Sequence, residues 1–172
     1  MANHTRVYHT RPTKEVVYAA VTKQFMSGEG AIQFAPEAIA RSNADLLKTP
    51  ELRQEFIEIY CDQGRDEAGR WLCTNHGEMS EAELDHRLSR YGLNPCGEIL
   101  GADFHCNLAE VNLNQIDPSD EKGQADAFRA GALSVACLLN HRFEVERYRQ
   151  SREWDPIVGV SFTGLFDFFV HA

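Results

Sequence analysis

Apolar residues in the first half of the chain recur at helical spacing, interrupted by short runs of strand or turn composition. Val16, Val17, Ala20, Val21 and Phe25 share one stripe between Thr13 and Met26, which predicts an amphipathic helix stopped by Ser27-Gly28-Glu29-Gly30. Ala31-Ile32-Gln33-Phe34 reads as a short strand. Pro36, whose fixed φ suits a first helical turn, opens a helix predicted to reach about Leu47. A third helix starts at Thr49-Pro50-Glu51 and places Leu52, Phe56, Ile59 and Tyr60 on one side. Residues 64–79 are polar and punctuated by glycine, with Trp71, Leu72 and Cys73 as an apolar island and no clear period. Ser80 and Glu83 form a capping box, so residues 81–91 should be helical with Leu84 and Leu88 inward and Gly92 as the C-cap.

In the second half, residues 106–113 alternate imperfectly and predict a strand. Asp117 to Glu121 leads into a long helix over 125–140, with Phe128, Ala132, Val135 and Leu139 spaced for burial and Cys137 placed on the same apolar face. The run Ile157 to Phe162 reads as a buried strand, turned by Thr163-Gly164 into a last helix over 165–170. Mixed helices and strands indicate an α/β architecture, and about three visible strands are too few to close a barrel. No internal repeat is present.

Composition narrows the class. The 172 residues are 43% hydrophobic and 25% charged, which suits one soluble globular segment. The polar start Met1 to Arg6 has no apolar run behind it, and no stretch is long enough for a membrane span, so cytoplasm is the expected location and no membrane partner is expected. A net charge of −9 opposes attraction to a phosphate backbone, so no nucleic-acid partner is expected either. Five cysteines, Cys61, Cys73, Cys96, Cys106 and Cys137, are an odd number that disfavours a disulfide framework. No Cys-x-x-Cys or His-x-x-x-His pair is available for zinc, and no metal ligand is assigned. Gly28-Glu29-Gly30 lacks the lysine of a phosphate loop and reads as a turn.

The densest chemistry is Asn94-Pro95-Cys96-Gly97-Glu98-Ile99, followed by Cys106-Asn107-Leu108 and Val111-Asn112-Leu113. A thiol pinned by Pro95 and freed by Gly97 is projected on a tight loop beside a carboxylate, and a second thiol follows within reach in sequence. If the loop is extended, Glu98 projects to the same side as Cys96, because residues i and i+2 do so. A thiol S–H is weak enough to exchange hydrogen with carbon radicals, and no other side chain does this reversibly.

These residues, with Gly159-Val160-Ser161-Phe162-Thr163-Gly164-Leu165-Phe166-Asp167 as a third motif, resemble the ribonucleotide reductases, most closely the adenosylcobalamin-dependent (class II) branch. The resemblance is strong over residues 91–116 and 153–170 and looser over 11–47. It implies an internal fragment of the catalytic α/β barrel, a single segment over 1–172 with its finger loop at about 92–105. It further implies that Cys96 becomes a thiyl radical that abstracts the ribose 3′-hydrogen and Glu98 acts as general base. Asn94 would hydrogen-bond the substrate, and Cys106 would act as one of a redox pair. Adenosylcobalamin would be bound by the complete enzyme, with no cofactor-binding residue assigned here.

The implied partners are a ribonucleotide, read as a triphosphate, a thioredoxin-type reductant, and flanking polypeptides of the same enzyme. Those polypeptides are expected because the family's other redox cysteine, phosphate-holding loop, cobalamin surface and C-terminal cysteine pair have no counterpart here. The chain reads as a middle piece of a reductase encoded in parts. A glycyl-radical or metal-radical reductase would use the same Cys96, and a non-catalytic interaction module retaining part of the fold is the alternative of a different class.

Overall fold

The computed structural model describes residues 4–28 and 30–172 as two compact units, Met1–Ala102 and Asp103–Ala172. The boundary falls inside the stretch read as the finger loop.

The first unit opens with strand β1 (Thr5–Tyr8), which pairs in parallel with β2 (Ala31–Phe34) across helix α1 (Lys14–Ser27). Thr13 caps α1 through its hydroxyl and Gly28, at φ 70, ends it. The helix is where periodicity placed it, but its apolar stripe is not a core face: Ala20 is buried while Phe25 is 85% exposed. Helix α2 (Ala35–Ser42) stops well before Leu47, because Asn43 takes over the C-terminal carbonyls. Its amide and its side-chain Nδ2 both donate to Ile39 O.

Helix α3 (Pro50–Gln63) is capped by Thr49, and α4 (Arg65–His76) fills the stretch that carried no clear period. Its burial of Ala68, Gly69 and Leu72 is a narrow stripe of small residues, too sparse to register as amphipathic in sequence. Helix α5 (Glu81–Leu88) is capped by Ser80 as the capping box predicts, but it ends at Ser89. Gly92 is therefore not its cap; it opens strand β3 (Gly92–Leu93), which pairs antiparallel with β4 (Leu100–Gly101). The core lies where α2 to α5 meet: Ile39, Leu47, Phe56, Ile57, Tyr60, Leu72 and Leu88 are buried together.

The second unit is a parallel pair, β5 (Asn107–Asn112) and β6 (Val158–Thr163), joined through a 3₁₀ turn (Leu113–Gln115), α6 (Glu121–Leu138) and α7 (Glu146–Trp154). Helix α6 packs on one sheet face, where Gly131 lets it approach so closely that an added Cβ would lie 3.0 Å from Val160 Cγ1. Val111 and Val135 are buried at this contact. The second strand is not buried as expected: Val158 and Phe162 remain exposed, since among the described residues no further strand flanks the pair. Ala132 and Cys137 are also exposed, so Cys137 does not share the buried side of the helix that Val135 occupies. Gly164, at φ 76, turns β6 into α8 (Leu165–His171), whose Phe166 is 80% exposed.

The architecture is thus mixed α/β. Three two-stranded sheets are present among the described residues and none closes a barrel. No described helix is long and apolar enough to cross a membrane.

Candidate functional site

The loop between β3 and β4 is a β-turn, not an extended strand. The Gly97 amide donates to Asn94 O at 3.0 Å, which puts Pro95 and Cys96 at the two corner positions of a turn over 94–97. Proline suits the first corner because its φ is preset, and Gly97 supplies the φ of 83° that the chain needs to leave the turn. Cys96 sits at the second corner with its side chain exposed, and Glu98 is exposed beyond it.

Asn94 organises this loop from beneath. It is 5% exposed, and its Oδ1 accepts from both the Gly97 amide (3.1 Å) and the Ile99 amide (3.0 Å). Its Nδ2 donates to Glu98 Oε1 at 2.5 Å. A residue expected to hydrogen-bond substrate therefore spends both ends of its amide inside the loop. The placement of Glu98 follows from that tether, and the alternation argument for an extended loop does not apply.

The base of the hairpin is fixed by residues that periodicity does not flag. Ser42 Oγ donates to Arg90 O at 2.8 Å and Asn43 Nδ2 donates to Arg87 O at 3.1 Å. Arg87 and Arg90 in turn both donate to Asn43 Oδ1 at 3.1 Å. Burial by itself would lower the Arg87 pKa, but hydrogen bonds to Glu83 and Asp45 outweigh it and hold the guanidinium above its ordinary value. The only sequence signal for this network was the polarity of Ser42 and Asn43 in a run otherwise read as helix. On the same unit, His9 packs edge-on against Tyr91 with ring centroids 4.9 Å apart, and its Nδ1 lies 3.2 Å from the Tyr60 hydroxyl.

Cys106 belongs to the second unit. It precedes β5 by one residue and is exposed. Its neighbour His105 stacks on Phe143 with centroids 4.2 Å apart and meets Tyr148 edge-on at 5.4 Å. Asn107 Nδ2 donates to Ile157 O at 3.1 Å, which ties the start of β5 to β6. The structure thus gathers Asn94, Cys96 and Glu98 in one turn, with Cys106 opening a strand of the other unit. Cys61 and Cys73 are partly buried, and burial pushes the Cys61 thiol above its ordinary value. Among the described residues, no group of three or more His, Cys, Asp or Glu side chains could hold a metal.

No protein-family model matches the chain, and neither a curated protein nor a solved structure matches it.

Proposed function

We propose that the chain is part of a ribonucleotide reductase that makes deoxyribonucleotides by thiyl-radical chemistry, with Cys96 as the hydrogen-exchanging group. The observation that supports this reading best is a thiol at the corner of a tight turn, exposed, with a carboxylate two residues later held by a buried asparagine. Geometry of this kind lets a substrate reach both groups without the loop reorganising.

The complete enzyme is read as adenosylcobalamin-dependent, and bound cofactor would supply the radical that withdraws the Cys96 hydrogen. No residue of this chain is assigned to hold it; the feature here that fits such a group is the open approach to the Cys96 sulfur. The Cys96 sulfur then takes the hydrogen atom from ribose C3′ and Glu98 takes the 3′-hydroxyl proton. The 2′-hydroxyl leaves as water once protonated. Cys106 and a second cysteine from a flanking polypeptide give two electrons and end as a disulfide, which a thioredoxin-type protein reduces again. The hydrogen held on Cys96 returns to C3′.

A ribonucleoside triphosphate is the proposed substrate and the cytoplasm the proposed compartment. Residues 50–90 would be the surface of a non-catalytic interaction module, yet among the described residues the exposed large apolar side chains all fall outside that stretch.

The test is the assembly of this chain with its flanking polypeptides, assayed with adenosylcobalamin, ribonucleoside triphosphate and a dithiol. Cys96→Ser should lower turnover to background, and Glu98→Gln should lower kcat by about 10²–10⁴-fold, the usual weight of a general base. Unchanged turnover in Cys96→Ser would remove the reading.

A further inference from the structure

Arg6 and Lys23 meet in one cavity with no carboxylate among the described residues to answer them. The cavity, about 420 Å³, lies in the first unit and is lined by His4, Arg6, Lys23, Ser27 and Gly30. The ion pairs described run between other residues, although the chain as a whole carries a net charge of −9. Two like charges held together without a counter-charge raise the local potential and favour an anion there.

Arg6 adds a more specific signal. Its Nη1 is buried without a hydrogen-bond partner, while the side chain as a whole is partly buried and lines the cavity. A buried N–H left unmatched is costly, more so when charged, so a native guanidinium in this position calls for something that offsets it. Gly30 is what admits it: a Cβ there would stand 3.0 Å from Arg6 Nη1, and its φ of 106° is strained for any other residue.

We propose that this cavity binds a phosphate group. The basic side chains converge from separate elements, His4 and Arg6 from the β1 segment and Lys23 from α1, which suits an oxyanion with oxygens in several directions. The charge of a phosphate dianion equals that of the two cations. Ser27 Oγ is not the donor for it, because it donates to Lys23 O at 2.7 Å. Glu29, between the two glycines in sequence, lies outside the described residues, and the experiment addresses it directly. The site is independent of the reductase reading.

The experiment is amide hydrogen exchange, read by mass, on the full 172-residue chain kept at nanomolar concentration, titrated with inorganic phosphate against potassium chloride of equal ionic strength. Protection over residues 27–34 should rise saturably with phosphate alone. In Lys23→Met and Arg6→Gln the midpoint should move to roughly tenfold higher phosphate, the weight of one charge-assisted hydrogen bond. Ribose 5-phosphate serves as a second probe: tighter binding than inorganic phosphate assigns the site to the phosphate end of a larger metabolite, and equal binding assigns it to phosphate itself. The proposal is overturned by an absence of saturable protection, by midpoints unchanged in both variants, or by binding that emerges only in Glu29→Gln. The last result would make the chain's own carboxylate the occupant.

Discussion

Asn94 is the residue on which the turn depends most. Asn94→Ala removes the acceptor of two amides and the donor to Glu98 at once, and leaves the Gly97 and Ile99 N–H groups without that partner. The expected loss is about 1–3 kcal/mol of local stability, read as faster exchange of those two amides with the rest of the first unit unchanged. Asn94→Asp keeps the acceptor but sets a second carboxylate against Glu98, so it should preserve the turn while displacing Glu98. Tyr60 gives a prediction in pH. Burial raises its phenol above the ordinary value of 10.0, so its contribution to stability is complete below that value and is lost as pH rises through the higher folded one. Tyr60→Phe should flatten the alkaline fall in the urea midpoint, at a loss near neutral pH of about 1 kcal/mol for the His9 hydrogen bond. The sequence exposed Cys96 and Glu98 as candidates because cysteine and a neighbouring carboxylate stand out by type. It did not reveal that Asn94 is turned inward, because an asparagine before proline has the same signature whether it faces substrate or its own backbone.

At the scale of elements, legibility followed local chemistry. The helices announced by Thr13, Thr49 and Ser80 all start where a hydroxyl accepts from an amide three residues on. Their starts were readable because capping is decided within four residues. Strand β1 and helix α7 were missed: β1 has four residues whose burial pattern alternates only weakly, and α7 buries Ser151 alone. Periodicity also cannot say whether an apolar stripe finds a partner, and α1 and β6 carry stripes that stay largely open. Two substitutions probe the elements that matter. Thr49→Ala should cost α3 about 1 kcal/mol in thermal unfolding of the first unit. Gly164→Ala should cost more than a cap, because that position combines a φ of 76° with a Cβ that would strike the Asn114 side chain. Its effect should be confined to the β6–α8 turn and visible as loss of helix signal over 165–171.

Across the whole molecule, large apolar side chains face outward in each of the two units. Phe25, Met26, Tyr18, Phe166, Phe169 and Val170 are all exposed, and three of these six lie on one short helix. Contiguous exposed apolar patches mark interaction surfaces or aggregation sites. The isolated chain should scatter light at micromolar concentration and bind a hydrophobic dye. Phe166→Ser with Phe169→Ser should restore solubility with a change in melting temperature below the effect of any core substitution, since neither side chain is buried. Parallel sheets are ordinarily wide and covered on both faces, and β5–β6 is neither. This has a readable spectroscopic consequence. In a two-stranded parallel ladder each strand turns alternate N–H groups toward its neighbour and the others outward. Deuterium uptake along 107–112 and 158–163 should therefore alternate residue by residue, slow and fast. Arrival of an adjoining strand from another polypeptide would silence the fast half along one strand only, naming the docked edge before any turnover is measured.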